Sequence, residues 1–232
     1  MYKRDYILRM IEQAAEMLHK VMFRRQNQQL REAMELLNQA MRQLLGVGSK
    51  LIHALSVKDL LALLSKDGEV DQGKVLACGD MLNAEAVLYA DSGDEAAARA
   101  AGAKSLELLL TARELDAREE LREEFVDRIE SALALVGRAP MSASLLKVLI
   151  PYYEAGGRYG LAEDAFFHLL DELERLRESE ERLEQLGVGI RMYERWLGLD
   201  AEALARGNLS KEEVEDGLNE LIRIKKGILE QG

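Results

Sequence analysis

Between Leu146 and Leu169 two apolar, helix-length segments flank the breaker Ala155-Gly156-Gly157-Arg158, and this pairing most limits what the chain can fold into. A short glycine-rich break between two segments of helical period points to a tight antiparallel helical hairpin. Leu146, Leu149, Ile150 and Tyr153 precede the break, and Ala162, Phe166 and Leu169 follow it. In such a hairpin Tyr153 fills the space beneath the turn, Ala162 lets the helices approach, and Phe166 plugs the next layer. Pro151 is the one disturbance, because an interior proline costs a helix roughly 3 kcal/mol and usually kinks it. The apolar face persists through it, so a kink is expected rather than a break.

This spacing resembles the tetratricopeptide (TPR) repeat, in which W-x2-L-G-x2-Y on one helix is followed by A-x3-F on the next. The pattern returns at Leu82-x2-Glu85-Ala86-x2-Tyr89-x8-Ala98 and at Leu183-x2-Leu186-Gly187-x2-Ile190, where Gly187 would permit close helix contact. The units begin near Leu82, Leu146 and Leu183, gaps of 64 and 37 residues. Such unequal gaps describe irregular repeats with inserted helices. The expected fold is all-α, a TPR-like stack of antiparallel helical hairpins in an α-α superhelix.

The remaining segments agree. With only two prolines and no alternating run of β-branched residues, helix is expected almost throughout and no sheet. Ile7, Met10, Ile11, Ala14, Leu18, Val21 and Met22 form one stripe over a helix from about Lys3 to Phe23. Leu30 to Leu45 forms a second helix, closed by Gly46-Val47-Gly48. These make an N-terminal hairpin over 1–48. Residues 49–232 form the rest of the stack, packed with it as one elongated domain. Ser56-x-x-Asp59 and Ser210-x-x-Glu213 read as capping boxes, and Asp71, Ser142 and Asp200 as further N-caps. A helix is expected from Asp116 to Val136, and one from Gly160 to about Ser179 that continues into the Leu183 segment. The last helix carries Val214, Leu218, Leu221, Ile222 and Leu229 on its stripe.

Charge excludes some partners. The formal net charge is −11, yet residues 1–50 carry nine Lys/Arg against five Asp/Glu, a net of about +4. An acidic body repels phosphate backbones, so no nucleic acid is expected, and the basic N-terminal region is where an acidic partner would dock. Cys78 is the only cysteine, which rules out an intrachain disulfide and suits a reducing compartment. No apolar run is long enough for a membrane span and no leader is visible, so a cytoplasmic location is expected.

No motif carries catalysis. His19, His53 and His168 stand apart, without HExxH or a paired spacing for zinc. The Asp67, Glu69, Asp71 cluster lacks the spacing of a calcium loop. Neither G-x-S-x-G nor a phosphate-cradling glycine loop occurs, and Gly187-x-Gly189 is better explained by helix packing. Carboxylate pairs such as Glu119-Glu120, Glu123-Glu124 and Glu180-Glu181 alternate with Arg118, Arg122 and Arg182, as a solvated ion-pair face does. No cofactor, no metal and no enzymatic activity are expected.

The opening MYKRDYILRMIEQ and the later YYEAGGRYGLAEDAFFHLL and LARGNLSKEEVEDGL resemble a bacterial family, mainly of Firmicutes, with TPR-like helices. The resemblance spans nearly the whole chain and implies a helical fold without an established activity. TPR-like stacks commonly hold a peptide on the first helices of their hairpins. Carried over, that lining places Asn83, Lys147 and Glu154 in a peptide groove. The expected function is therefore a protein- or peptide-binding scaffold. The alternatives are a small-ligand- or peptide-sensing regulator with a pocket between helices, or an enzyme without a visible motif. A wide apolar stripe with Tyr2, Tyr6 and Phe23 among Lys3, Arg4 and Arg9 also points to a homodimer.

Overall fold

The computed structural model describes residues 2–115, 121–137 and 140–231. The chain is all-α and built from helical hairpins. Its contacts divide it into two compact units, residues 1–140 and 141–232.

The first unit is built around a helix that is apolar on nearly every side. Helix α1 (Tyr2–Gln26) and α2 (Leu30–Leu45) form the N-terminal hairpin, followed by the short α3 (Ser49–Ala54) and α4 (Val57–Leu63). A two-residue hairpin, β1 (Ser65–Lys66) and β2 (Glu69–Val70), leads into α5 (Gln72–Asp91), α6 (Glu95–Leu115) and α7 (Arg122–Val136). Helix α5 buries Val75, Leu76, Ala77, Cys78, Met81, Leu82 and Leu88, and it packs against α1, α2, α6 and α7. A helix apolar all round belongs inside a core, and its Gly79 lets α6 close in. A Cβ on Gly79 would meet Leu109 Cδ2 at 2.8 Å. Ser105 of α6 donates to the Gly79 carbonyl at 3.0 Å. Arg128 of α7 pairs with Asp80 at 2.9 Å, and Arg25 of α1 with Asp91 at 2.5 Å.

Local signals account for most boundaries here. Gly46 ends α2 in the left-handed conformation, with φ 81°, as its glycine predicts. Ser56 and Asp71 cap α4 and α5 through Asp59 N–H and Lys74 N–H. Two features depart from expectation. Helix α3 lies in a stretch that read as irregular, because six residues are too few to show a period. The β-hairpin corrects the expectation of no strand: Asp67 and Gly68 both take positive φ, 54° and 82°, as a two-residue Asp-Gly turn requires. The helix expected from Asp116 is described from Arg122, and Arg118, Glu119 and Glu120 lie outside the described residues.

The second unit comprises α8 (Ala143–Ala155), α9 (Tyr159–Leu176), α10 (Ser179–Leu197), α11 (Ala201–Arg206) and α12 (Lys211–Gln231). Helices α8 and α9 are the expected hairpin, and Leu146, Leu149, Ala162, Phe166 and Leu169 are all buried. Helix α8 runs unbroken through Pro151, which is exposed. The carbonyl left without its helical donor is that of half-exposed Lys147. The continuous helix expected across Ser179 is instead two. Arg177 adopts the left-handed conformation, φ 61°, and donates to the Leu173 and Glu174 carbonyls, closing α9 without a glycine. Arg182 then reaches back to Glu174 at 2.8 Å. Ser210 Oγ accepts from Glu213 N–H at 3.1 Å while Glu213 Oε2 accepts from Ser210 N–H at 2.7 Å, the reciprocal capping box. On α12, Val214 and Leu221 are buried, but Ile222 and Leu229 of the expected stripe are exposed.

Candidate functional site

Three elements of the first unit line an open cavity of about 550 Å³. Met34, Asn38 and Arg42 stand four residues apart on α2 and so share one face. The glycine pair of the Gly46-Val47-Gly48 connection turns the chain, and α3 then brings Ser49, Lys50, Leu51 and Ala54 to the opposite wall. Glu85 and Tyr89, one turn apart on α5, complete it.

At its base is a charged side chain inside the fold: Glu85 is only 2% exposed. A buried carboxylate is tolerated when hydrogen bonds replace its hydration. Ser49 Oγ donates to Oε1 at 2.5 Å, and His53 Nε2 lies 2.7 Å from Oε2. Ser49 and His53 are four residues apart on α3, so one short helix delivers both. The Ser49 N–H in turn donates to Asn38 Oδ1 at 3.0 Å. Burial, then the nearby Glu85 and Asp94 carboxylates, raise the Tyr89 phenol above its ordinary value.

The rim has the opposite charge. Arg42 and Lys50 are exposed, and neither has an acidic partner among the described residues. Because Oδ1 of Asn38 takes the Ser49 N–H, its amide orientation is set and its Nδ2 donors have no partner among the described residues. A Cβ at Gly48 would lie 2.7 Å from Asn38 Oδ1 and 3.0 Å from Arg42 Nε, so both groups gather over that glycine.

A second cavity, about 470 Å³, lies by the β-hairpin and is lined by Tyr6, Lys66, Asp67, Asp71 and Gln72 among others. Tyr6 donates to Asp71 at 2.9 Å, and burial together with that carboxylate pushes its phenol up to about 12. Gln72 is buried, with Oε1 unpartnered among the described residues. Asp71 is spent on Tyr6 and on the α5 cap. Among the described residues, no three His, Cys, Asp or Glu side chains are grouped as a metal would need. Burial pushes the Cys78 thiol up to about 12, far from the thiolate that reactivity requires.

The groove residues read from sequence lie in separate units. Asn83 is on α5, half-buried, with Oδ1 enclosed and unpartnered among the described residues. Lys147 and Glu154 share α8. Lys147 is ion-paired with Glu181, and Glu154 accepts from Arg195 at 2.9 Å and from Trp196 Nε1 at 3.0 Å. Both therefore hold α8 to α10. Of the repeat positions, Tyr89 lines the first cavity and Ala98 is buried. Tyr153 is half-buried, with the Arg158 guanidinium 4.7 Å from its ring centre. Gly187 does not make the close contact expected of it. The nearest side-chain atoms to a Cβ there would be 3.6 Å away, on Arg191 and Lys225. Gly189 makes it instead, beneath Phe166. The Ser49, His53 and Glu85 group was not visible in sequence, since 32 residues separate His53 from its carboxylate.

Residues 1–226, spanning both units and every residue of the cavity, match a family described as a family of unknown function, DUF6483. The chain belongs to that family. No curated protein and no solved structure matches the chain. Among the described residues, no helix is long and apolar enough to cross a membrane.

Proposed function

We propose that the protein is a non-enzymatic scaffold of the cytoplasm that binds a protein or peptide partner through TPR-like hairpins, as a member of a bacterial, Firmicutes-type family. The cavity between α2, α3 and α5 carries this reading: it is preformed, walled by Met34, Leu51 and Ala54, and rimmed by cations without acidic partners among the described residues. Sites of this size with apolar walls and a few convergent polar groups are typical of ligand recognition. The burial of Leu146, Ala162 and Phe166 at TPR-type spacing supports the repeat assignment. Ser49 donates to a carboxylate rather than to an imidazole base, which speaks against a nucleophilic enzyme. Lys147 and Glu154 would have to leave Glu181 and Arg195 to meet a partner, so the cavity is the better recognition site. A random peptide array probed with the full chain tests this. A subset binding with Kd near ~10 µM is expected, and uniform absence of binding at about 1 mM removes the reading.

The size of the cavity also favours a second reading, a small-ligand-sensing regulator. Retention of a small molecule after native purification, with no peptide bound in the array, would favour it. For self-association, Phe23 is 59% exposed on α1, and an exposed aromatic side chain of this kind suits a homodimer contact. Light scattering should give twice the chain mass of 26.1 kDa, and Phe23→Asp should return the monomer.

A further inference from the structure

We propose that the cavity between α2, α3 and α5 recognises a carboxylate borne on an apolar group, with the apolar part inside and the carboxylate held at the mouth by Arg42, Lys50 and Asn38. This rests on the binding-scaffold reading above and names the chemistry of its ligand. The argument begins with what each wall can offer. Met34, Leu51 and Ala54 offer only apolar surface, and Tyr89 adds an aromatic face. At the mouth the unspent groups are donors alone. Arg42 presents a guanidinium and Lys50 an ammonium, while Asn38 presents its Nδ2 hydrogens because its oxygen is already committed to Ser49. Three donors without an acceptor among them select an anion, and a guanidinium beside an amide suits a planar carboxylate.

Glu85 fixes which way such a ligand enters. Its two oxygens are occupied by Ser49 and His53, so it offers the ligand no hydrogen-bonding role there. The ligand's charged end is thereby kept at the rim and its apolar end is directed inward. Gly48 supplies the room. Its φ of −95° and ψ of 166° are open to any residue, so no strain demands glycine. A side chain there would displace the two lining groups, since its Cβ would stand 2.7 Å from Asn38 Oδ1 and 3.0 Å from Arg42 Nε. Glycine at this point lets the Asn38 amide and the Arg42 guanidinium keep the positions in which they line the cavity.

A free carboxylic acid and the terminal carboxylate of a peptide share this chemistry, and the experiment separates them. The full chain is titrated calorimetrically at low salt with 4-phenylbutyrate, with an N-acetylated tripeptide ending in leucine, and with the amide of that tripeptide. At least one acid is expected to bind, and the amide about tenfold more weakly or not at all. Arg42→Gln and Lys50→Gln should each weaken the acid about fivefold or more, with the thermal midpoint unchanged because neither side chain has an acidic partner among the described residues. Gly48→Ala should abolish binding, and Asn38→Ala serves as an independent loss-of-donor variant should Gly48→Ala fold poorly. Equal binding of amide and acid, unchanged affinity in Arg42→Gln and Gly48→Ala, or no acid bound at about 10 mM overturns the inference. Binding of 4-phenylbutyrate with no peptide bound in the array retains the carboxylate site and removes the peptide-scaffold reading. Array peptides that bind Gly48→Ala as well as the natural chain retain the scaffold reading and remove this site.

Discussion

Phe166 of α9 lies directly over Gly189 of α10: a Cβ added to that glycine would stand 2.2 Å from Phe166 Cζ and 2.5 Å from Cε1. The contact repeats one helix further on, where a Cβ on Gly217 of α12 would stand 2.4 Å from Tyr193 Cε1. Two aromatic rings seated on two glycines thus set how closely α9, α10 and α12 approach.

Gly189→Ala should therefore destabilise the chain although alanine is the better helix former. Forcing a methyl into that contact costs about 1–3 kcal/mol, against the roughly 1 kcal/mol that alanine gains over an interior helical glycine. Gly187→Ala, two residues earlier and open to flexible side-chain ends at 3.6 Å, should be neutral or stabilising by up to about 1 kcal/mol. Denaturant midpoints compare the two directly, and equal effects would place the close contact elsewhere.

Truncating the hairpin aromatics should separate core from margin. Phe166 is fully buried, and Phe166→Ala should cost about 3–5 kcal/mol. Tyr153 is only half-buried, with Arg158 over its ring, so Tyr153→Ala should cost about 1–2 kcal/mol. Chemical denaturation reads both. A larger loss for Tyr153 than for Phe166 would mean that the space beneath the turn is the main packing site.

Ser210→Ala should lower stability by about 1 kcal/mol by removing the acceptor for Glu213 N–H at the start of α12. Separate hydrogen bonds to the Glu213 carboxyl, first from the Ser210 side chain and then from its backbone N–H, hold it below its ordinary value. Their contribution is present above the ordinary glutamate value and lost as pH falls through the lowered one. A Ser210→Ala melt indistinguishable from the natural chain at neutral pH would remove the cap from this account.

The sequence showed helices and caps well because both are written within four residues. Ser56, Asp71, Ser142, Asp200 and Ser210 each bond the N–H three residues on, and each was readable as a cap. The Phe166 hairpin was readable for the same reason: its spacing is local and its breaker is a glycine pair. Arg177 was not, because a left-handed residue without glycine leaves no compositional mark. The cavity was hidden more deeply. Glu85 reads as one more surface glutamate until α3 brings Ser49 and His53 to it across 36 and 32 residues. The repeat spacing marks Gly187 as the contact glycine, and only the position of Phe166 on α9 shows that the contact is at Gly189.

The Glu163–Tyr193 pair should make one substitution depend on pH. Tyr193 is buried, and its hydroxyl donates to Glu163 Oε1 at 2.5 Å. Burial raises the Glu163 carboxyl above its ordinary value of 4.5, the Tyr193 hydrogen bond pulls it back in part, and Glu213 and Asp164 raise it again. Burial and the bond to Glu163 also raise the Tyr193 phenol, so it stays a donor throughout the accessible range. A carboxyl raised in the folded state contributes stability that is fully present below 4.5 and lost as pH rises through the folded value. Tyr193→Phe keeps the ring over Gly217 but removes the donor that favours the ionised form, so the Glu163 carboxyl should climb further. The substitution should then cost about 1–2 kcal/mol on the high-pH side of the folded Glu163 value, where the ionised carboxyl has one fewer hydrogen bond, and less near pH 4, below the ordinary 4.5, where it is protonated in both proteins. Denaturant titrations at the two pH values measure the difference, and carbon-13 titration of the Glu163 carboxyl measures the shift. An equal loss at both pH values, or a Glu163 carboxyl that moves down, would show that the hydroxyl does not support the carboxylate.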